Sequence, residues 1–173
     1  WYVLFEYASN ISLFEFIINA FRFANKYAPA SLELYYNDYG ECDTKKVKGI
    51  EQLLKDVKSA EGTRIDAMGM QGHYLTENFP SIDDFKSAAR TYADIVGKVQ
   101  LTELDFQASA EYDGTSATYN KENGKLANRY KDFYDAMKEL KSEGINVSGM
   151  TLWGVIDRNS WLQHASFVGG GTN

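Results

Sequence analysis

The sequence has little of what marks several common classes of protein. Only one of its 173 residues is cysteine, Cys42, so no internal disulfide can form and the common structural zinc sites are not expected. Basic residues are also scarce, since 18 Lys and Arg stand against 24 Asp and Glu and the net charge is −6. Because there is no basic stripe to neutralise phosphates, the chain is not expected to bind nucleic acid.

Long apolar runs are missing as well. No uninterrupted run approaches the length of a membrane span, and no charged leader precedes an apolar stretch at Trp1. We therefore expect no membrane partner and no signal peptide within these residues. What the sequence does contain is apolar content: 44% of its residues are hydrophobic and 14% aromatic. That is enough to bury the core of one globular domain over residues 1–173.

Four segments have the apolar periodicity of amphipathic helices. The first begins with a capping box made by Ser12 and Glu15 and is stopped by Pro29. The third is expected to end at Gly97 and the fourth at Gly144, because glycine favours the left-handed backbone that closes a helix. The apolar faces of the four helices lie within 13–24, 47–57, 85–96 and 126–140.

Short apolar runs that suit strands buried on both faces alternate with these helices. They lie at 2–5, 32–36, 65–70, 99–101 and 147–153. Five strands alternating with four helices predict a parallel sheet, with right-handed crossovers and helices packed outside it. In such sheets the functional side chains gather at the C-terminal ends of the strands.

Residues 101–105 are an apolar strand that becomes acidic at its end. Enzymes with a (β/α)₈ barrel place catalytic groups at the C-terminal ends of their strands, which makes Glu103 a candidate catalytic residue. Taken alone, the segment is equally compatible with a salt-bridged or capping carboxylate at a strand end.

Four motifs follow predicted strands, in the order 36–39 (YNDY), 69–74 (GMQGHY), 101–105 (LTELD) and 151–162 (TLWGVIDRNSWL). In content and order they resemble family 10 glycoside hydrolases, the endo-β-1,4-xylanases. The resemblance covers nearly the whole chain. It implies an α/β fold, the (β/α)₈ TIM barrel, of which 1–173 would be the C-terminal part of the catalytic domain, about strands 4 to 8.

The resemblance also implies a retaining hydrolase of xylan or xylo-oligosaccharides in which Glu103 is the nucleophile. Such an enzyme attacks the anomeric carbon with one carboxylate, while a second, about 5–5.5 Å away, protonates the leaving oxygen. His73 matches the family histidine that hydrogen-bonds the nucleophile, and Asp105 matches the acid near that histidine. Without the family, His73 would be interpreted more readily as a structural histidine. A retaining glycosidase needs no metal or organic cofactor, so none is expected.

Glu6 matches the acid/base residue, but its surroundings depart from the family pattern. The chain begins with residues 1–6 (WYVLFE), in which Phe5 replaces the asparagine that binds the sugar 2-hydroxyl in the family and Tyr2 replaces an aspartate. Phenylalanine cannot make that hydrogen bond. Contacts to the 2-hydroxyl strengthen in the transition state, and their loss can raise the activation free energy by several kcal/mol. The alternative is therefore a catalytically impaired or non-catalytic xylan-binding relative, or a fragment that is inactive alone.

Aromatic and amide side chains are expected to bind the sugar. By resemblance, Trp153 and Trp161 line the subsites beside the point of cleavage, and Asn37, Tyr39 and Gln71 contact substrate around it. Core packing is the commoner role of tryptophan, and Asn37 with the following aspartate also suits a turn. Secretion is expected because the substrate is a polymer.

The resemblance leaves the barrel incomplete. A full (β/α)₈ barrel takes about 250 residues, and strands one to three have no counterpart in this chain. A sheet of strands four to eight has two unpaired edges, which need partners. Either another segment of the same parent protein completes the sheet, which we favour, or two copies pair edge to edge.

Overall fold

The computed structural model describes residues 13–76, 78–108, 115–156 and 159–163. Helices and strands alternate along these residues except that β3 directly follows β2, and a short 3₁₀ helix, Trp161–Gln163, follows the last strand. The bounds are α1 Leu13–Tyr27, β1 Tyr35–Asp38, α2 Thr44–Ser59, β2 Ala67–Met70, β3 His73–Leu75, α3 Ile82–Val96, β4 Val99–Gln107, α4 Ser116–Ser142 and β5 Val147–Leu152.

The five strands pair in parallel, which confirms that the sheet is parallel, although β3 is not among the predicted strands. β4 is the longest strand and lies in the middle: β2 and β3 pair with successive parts of one edge, β5 pairs with the other, and β1 pairs with β2. β2 and β3 are thus two pieces of one strand path, interrupted at Gly72, whose φ is +79°. Among the described residues, β1 and β5 form the edges of the sheet.

Several predicted bounds differ from the structure. β1 begins three residues later than the predicted strand 32–36, and β4 continues to Gln107 rather than ending at 101. The polar residues at these strand ends continue the hydrogen-bonded ladder, which hydrophobicity alone does not show. The predicted strand 2–5 and the capping serine Ser12 lie outside the described residues. The predicted cap at Gly97 is confirmed, with φ of +85°.

The main core lies between the sheet and α2, α3 and α4. It is built from side chains with almost no solvent exposure, among them Leu54, Met68, Phe85, Tyr92, Leu101, Leu104, Phe133 and Leu140. A smaller cluster, made by Phe21, Leu53 and Val57, attaches α1 to α2. Within the described ranges, no helix combines the length and apolarity that crossing a bilayer requires.

β4 is irregular where it reaches the candidate site. Its register against β5 shifts between Leu101 and Leu104. In a regular strand Thr102 and Glu103 would point to opposite faces, yet both side chains contact Asn37. The irregularity therefore turns two consecutive polar side chains toward the same face.

Candidate active site

The predicted site residues of β1, β3 and β4 meet near the C-terminal ends of β1 and β2, partway along β4. The carboxylate of Glu103 is held at both oxygens: Asn37 Nδ2 donates to Oε1 over 2.7 Å, and His73 Nε2 lies 3.2 Å from Oε2. The Glu103 side chain retains 17% of its exposure. The carboxylate is thus fixed in orientation and still accessible to solvent.

A second layer of contacts fixes Asn37. Thr102 Oγ1 donates to Asn37 Oδ1 over 2.6 Å, so the amide must present its NH₂ group to Glu103. Gly69 on β2 makes room for this arrangement, since a Cβ there would lie 2.4 Å from Asn37 Oδ1. Thr102 is not predicted as a site residue from the sequence, because strand alternation predicts that it points away from Glu103.

His73 connects the two acidic residues of β4. Its Nδ1 lies 2.7 Å from Asp105 Oδ1, and the other oxygen of Asp105 accepts a hydrogen bond from Trp161 Nε1 at 2.7 Å. The rings of Trp161 and Trp153 approach the imidazole edge-on, with centroids 4.9 and 6.3 Å away. One connected chain of groups therefore runs from Glu103 through His73 and Asp105 to Trp161.

Electrostatics favour a protonated His73. Burial by itself lowers the pKa of this imidazole, but the hydrogen bonds and negative charges of Asp105 and Glu103 outweigh it and raise the pKa above 6.5. A protonated imidazole can donate to both carboxylates at once. The arrangement holds the Glu103 carboxylate in one orientation.

The remaining predicted binding residues follow the C-terminal ends of β1, β2 and β5. Trp153 follows β5 and is 47% exposed, so the core-packing alternative does not hold for it in this structure. Tyr39 is exposed, with Lys46 Nζ 3.8 Å from its ring centroid. Gln71 joins the strands through its backbone, since its carbonyl accepts from Glu103 N at 2.9 Å. Glu6, the predicted acid/base, lies outside the described residues, as do Tyr2 and Phe5.

No group of three or more His, Cys, Asp or Glu side chains within the described part of the chain has the arrangement of a metal site. The acidic and imidazole groups at this end of the sheet instead hydrogen-bond to one another. The chemistry they support is that of an oriented carboxylate facing solvent, with aromatic rings beside it.

Comparisons with known proteins agree with the motifs. The profile of Glycosyl hydrolase family 10 matches residues 8–170. An endo-1,4-beta-xylanase of Geobacillus stearothermophilus is 32% identical over 153 residues, which cover 87% of this chain and 44% of that protein. The chain thus spans less than half the length of this relative.

Solved structures show the same correspondence. The structure of GH10 from Paenibacillus barcinonensis matches with a TM-score of 0.75 and 30% identity, over 90% of this chain and 43% of that one. A mutant of xylanase A from P fluorescens subsp. cellulosa, in complex with xylopentaose, matches with a TM-score of 0.72 and 30% identity, over 87% and 46%. The predicted fold, an incomplete (β/α)₈ barrel, is confirmed. The chain belongs to Glycosyl hydrolase family 10.

Proposed function

We propose that this chain carries the nucleophile of a retaining endo-β-1,4-xylanase, with Glu103 as that nucleophile and Glu6 as the acid/base. The observation that carries the proposal is the Glu103 carboxylate, held by Asn37 on one oxygen and by His73 on the other. It lies on β4 two residues past Leu101, the level at which β1 and β2 end, and barrel enzymes place their catalytic groups at the C-terminal ends of strands. The relatives named as xylanases supply the substrate class.

The proposed reaction has two displacements. An oxygen of Glu103 forms a bond to the anomeric carbon while the bond from that carbon to the leaving sugar oxygen breaks, and Glu6 gives its proton to that oxygen. Glu6, now ionised, then takes a proton from water as the water oxygen attacks the same carbon and releases Glu103. Configuration at the anomeric carbon is retained because it is inverted twice.

His73, Asp105 and Asn37 serve Glu103 in this proposal. Asn37 and His73 keep the carboxylate aimed at one point, so attack needs little reorientation. Asp105 anchors His73 from behind and is itself anchored by Trp161. Trp153, exposed beside His73, offers a flat apolar surface for a pyranose ring.

We also propose that a further segment of polypeptide supplies the remaining barrel strands. The chain covers 44% of the Geobacillus stearothermophilus relative, and within the described residues β5 pairs on one side only. Activity on xylan is accordingly a property we assign to the completed barrel. We propose extracellular action, since xylan is a polymer; xylanase activity in the culture medium, rather than inside cells, would support it.

The nucleophile assignment is tested in a protein containing this chain and a complete barrel. Glu103→Ala should lower xylan hydrolysis by at least about a hundredfold, because covalent catalysis and charge at the anomeric carbon are both lost. Azide added to Glu103→Ala should restore turnover of an activated xyloside and yield the α-glycosyl azide, because the small anion occupies the position of the missing carboxylate. Azide added to Glu6→Ala should instead yield the β-product.

A matched control and a contrary outcome complete this test. Glu33→Ala removes an exposed carboxylate that is hydrogen-bonded to Lys98 and Tyr35 before β1, and it should leave hydrolysis within about twofold of the parent. A residual rate above about a hundredth in Glu103→Ala would exclude Glu103 as the nucleophile.

Phe5 and Tyr2 favour a second candidate, a non-catalytic xylan-binding relative. Neither residue can replace the side chain that the family pattern has at its position. Calorimetry would then show xylo-oligosaccharide binding to the completed barrel without release of products. If Phe5 is the residue that limits an otherwise functional site, Phe5→Asn should increase xylan hydrolysis.

A further inference from the structure

A buried carboxyl group lies behind the candidate active site, on the opposite side of β3. Glu41, in the loop between β1 and α2, is 0% exposed. Its Oε1 accepts a hydrogen bond from Tyr74 Oη, and its backbone carbonyl accepts one from Tyr92 Oη at 2.6 Å. Its Oε2 has no hydrogen-bond partner within the described residues. The proposed reaction does not use this group.

Burial shifts the pKa of Glu41. It raises the pKa of this carboxyl, and the hydrogen bond from Tyr74, the nearby backbone N–H groups of Glu41 and Gly72 and the charge of His73 offset the rise only in part. A buried carboxyl that stays neutral avoids the large desolvation penalty of an isolated charge.

β3 is a segment whose position needs such support. It contains three residues, is separated from β2 by the break at Gly72, and pairs with β4 alone among the described strands. His73 and Tyr74 are consecutive, so their side chains point to opposite faces. His73 faces Glu103, while Tyr74 packs against Phe106 and Phe133 and reaches Glu41.

We propose that Glu41 is a positioning residue: through Tyr74 it fixes β3 and thereby keeps His73 aligned between Glu103 and Asp105. The chain of contacts runs from α3 through Tyr92 to Glu41 and from there through Tyr74 to the strand that carries His73. The value of this alignment for catalysis rests on the proposed function, whereas the alignment itself can be measured without activity.

The first experiment measures the His73 imidazole by NMR in the full chain, with its signal assigned by loss in His73→Gln. Tyr74→Phe and Glu41→Leu both remove the hydrogen bond to the carboxyl and should move the pKa of His73 down toward 6.5, because the ring loses its alignment with Asp105 and Glu103. Glu41→Gln keeps an acceptor oxygen for Tyr74 on a side chain of the same shape and should leave the pKa of His73 within about 0.3 unit of the parent.

Controls separate positioning from general loss of stability. Val57→Ala removes buried volume in the α1–α2 cluster, remote from the site, and should leave the His73 pKa unchanged. Tyr74→Phe retains the packing ring, so it tests the proposal even if Glu41→Leu does not fold. An unchanged His73 pKa in Tyr74→Phe would overturn the proposal, as would an equal fall in Val57→Ala.

The second experiment uses the completed barrel. Tyr74→Phe should lower kcat by about tenfold while KM changes less than about threefold, and Glu41→Gln should stay close to the parent. If Glu103→Ala keeps its activity while the His73 pKa still falls in Tyr74→Phe, the proposed function fails and the positioning role stands. If Glu103→Ala is inactive and Tyr74→Phe changes neither the His73 pKa nor kcat, the positioning role fails and the proposed function stands.

Discussion

At the scale of single residues, the site is a set of polar side chains that hydrogen-bond to one another. Glu103 is held by groups from two other strands, and His73 is held by two carboxylates of β4. Because His73 contacts both, its protonation links the conformation of the site to pH. The motifs identified the principal residues, whereas the supporting contacts of Thr102 and Glu41 come from the structure.

The raised pKa of His73 predicts a pH-dependent contribution to stability. A group whose pKa is higher in the folded state stabilises the fold fully below its unfolded value, here about 6.5, and loses this contribution as pH rises through the folded pKa. Each unit of pKa difference corresponds to about 1.4 kcal/mol. Urea unfolding of the parent and of His73→Gln from pH 5 to pH 9 should show their difference in stability shrinking above about pH 6.5.

A further variant, Asp105→Asn, checks this pH dependence in the same urea-unfolding measurements. Asp105→Asn removes the carboxylate that contributes most to the raised pKa of His73, so the decline should move to lower pH. A difference between the parent and His73→Gln that stays constant or grows with pH would contradict the assignment of a protonated, doubly hydrogen-bonded imidazole.

At the scale of elements, β4 and its neighbours determine which side chains meet. The irregular register of β4 turns Thr102 and Glu103 to one face, and the break at Gly72 lets β2 and β3 follow the same edge of β4. These features lie outside what sequence periodicity can predict, because a regular strand alternates its faces. The predicted strand positions were therefore closer to correct than the predicted strand ends.

Gly69 on β2 provides a test of this packing. Alanine there would place Cβ 2.4 Å from Asn37 Oδ1 and 3.0 Å from Thr102 Cγ2. Gly69→Ala should therefore destabilise the chain by roughly 1–3 kcal/mol and lower activity of the completed barrel by displacing Asn37 from Glu103. Urea denaturation and xylan hydrolysis measure the two effects.

Gly149 on β5 is the matched control for Gly69. Nothing lies within 4 Å of a Cβ placed there, so Gly149→Ala should be neutral or stabilising by up to about 1 kcal/mol in this chain. Equal stability of the two alanine variants would show that the contact at Gly69 does not constrain Asn37.

At the scale of the whole molecule, the sheet is incomplete on the side of β5. Leu152 at its end is exposed, and near the opposite edge, formed by β1, the helix α1 packs on α2 and presents Phe16, Phe23 and Tyr27 to solvent. Exposed apolar side chains beside an unpaired strand are typical of surfaces that another segment covers. Two open possibilities, a further segment of the parent protein or a second copy, make different predictions about this edge.

Hydrogen exchange can distinguish them. In the chain alone, amides on the outer edge of β5 should exchange rapidly at low concentration, and the longer polypeptide with the remaining strands should protect them by at least about tenfold. Edge-to-edge pairing of two copies would instead give protection that rises with chain concentration, together with a dimer in sedimentation. Full protection in a monomeric chain would contradict an open edge.

The sequence by itself determined most of the alternation of strands and helices, the cap at Gly97, the four motifs and through them the family. These are local patterns of polarity, size and backbone preference, each readable within a few residues. Only the tertiary structure decided that Thr102 orients Asn37, that His73 bridges Glu103 and Asp105 with Trp161 behind them, and that Glu41 supports β3 through Tyr74. The physical reason is that such contacts depend on strand register, on the register shift along β4 and on burial. All three arise from groups that are distant in sequence.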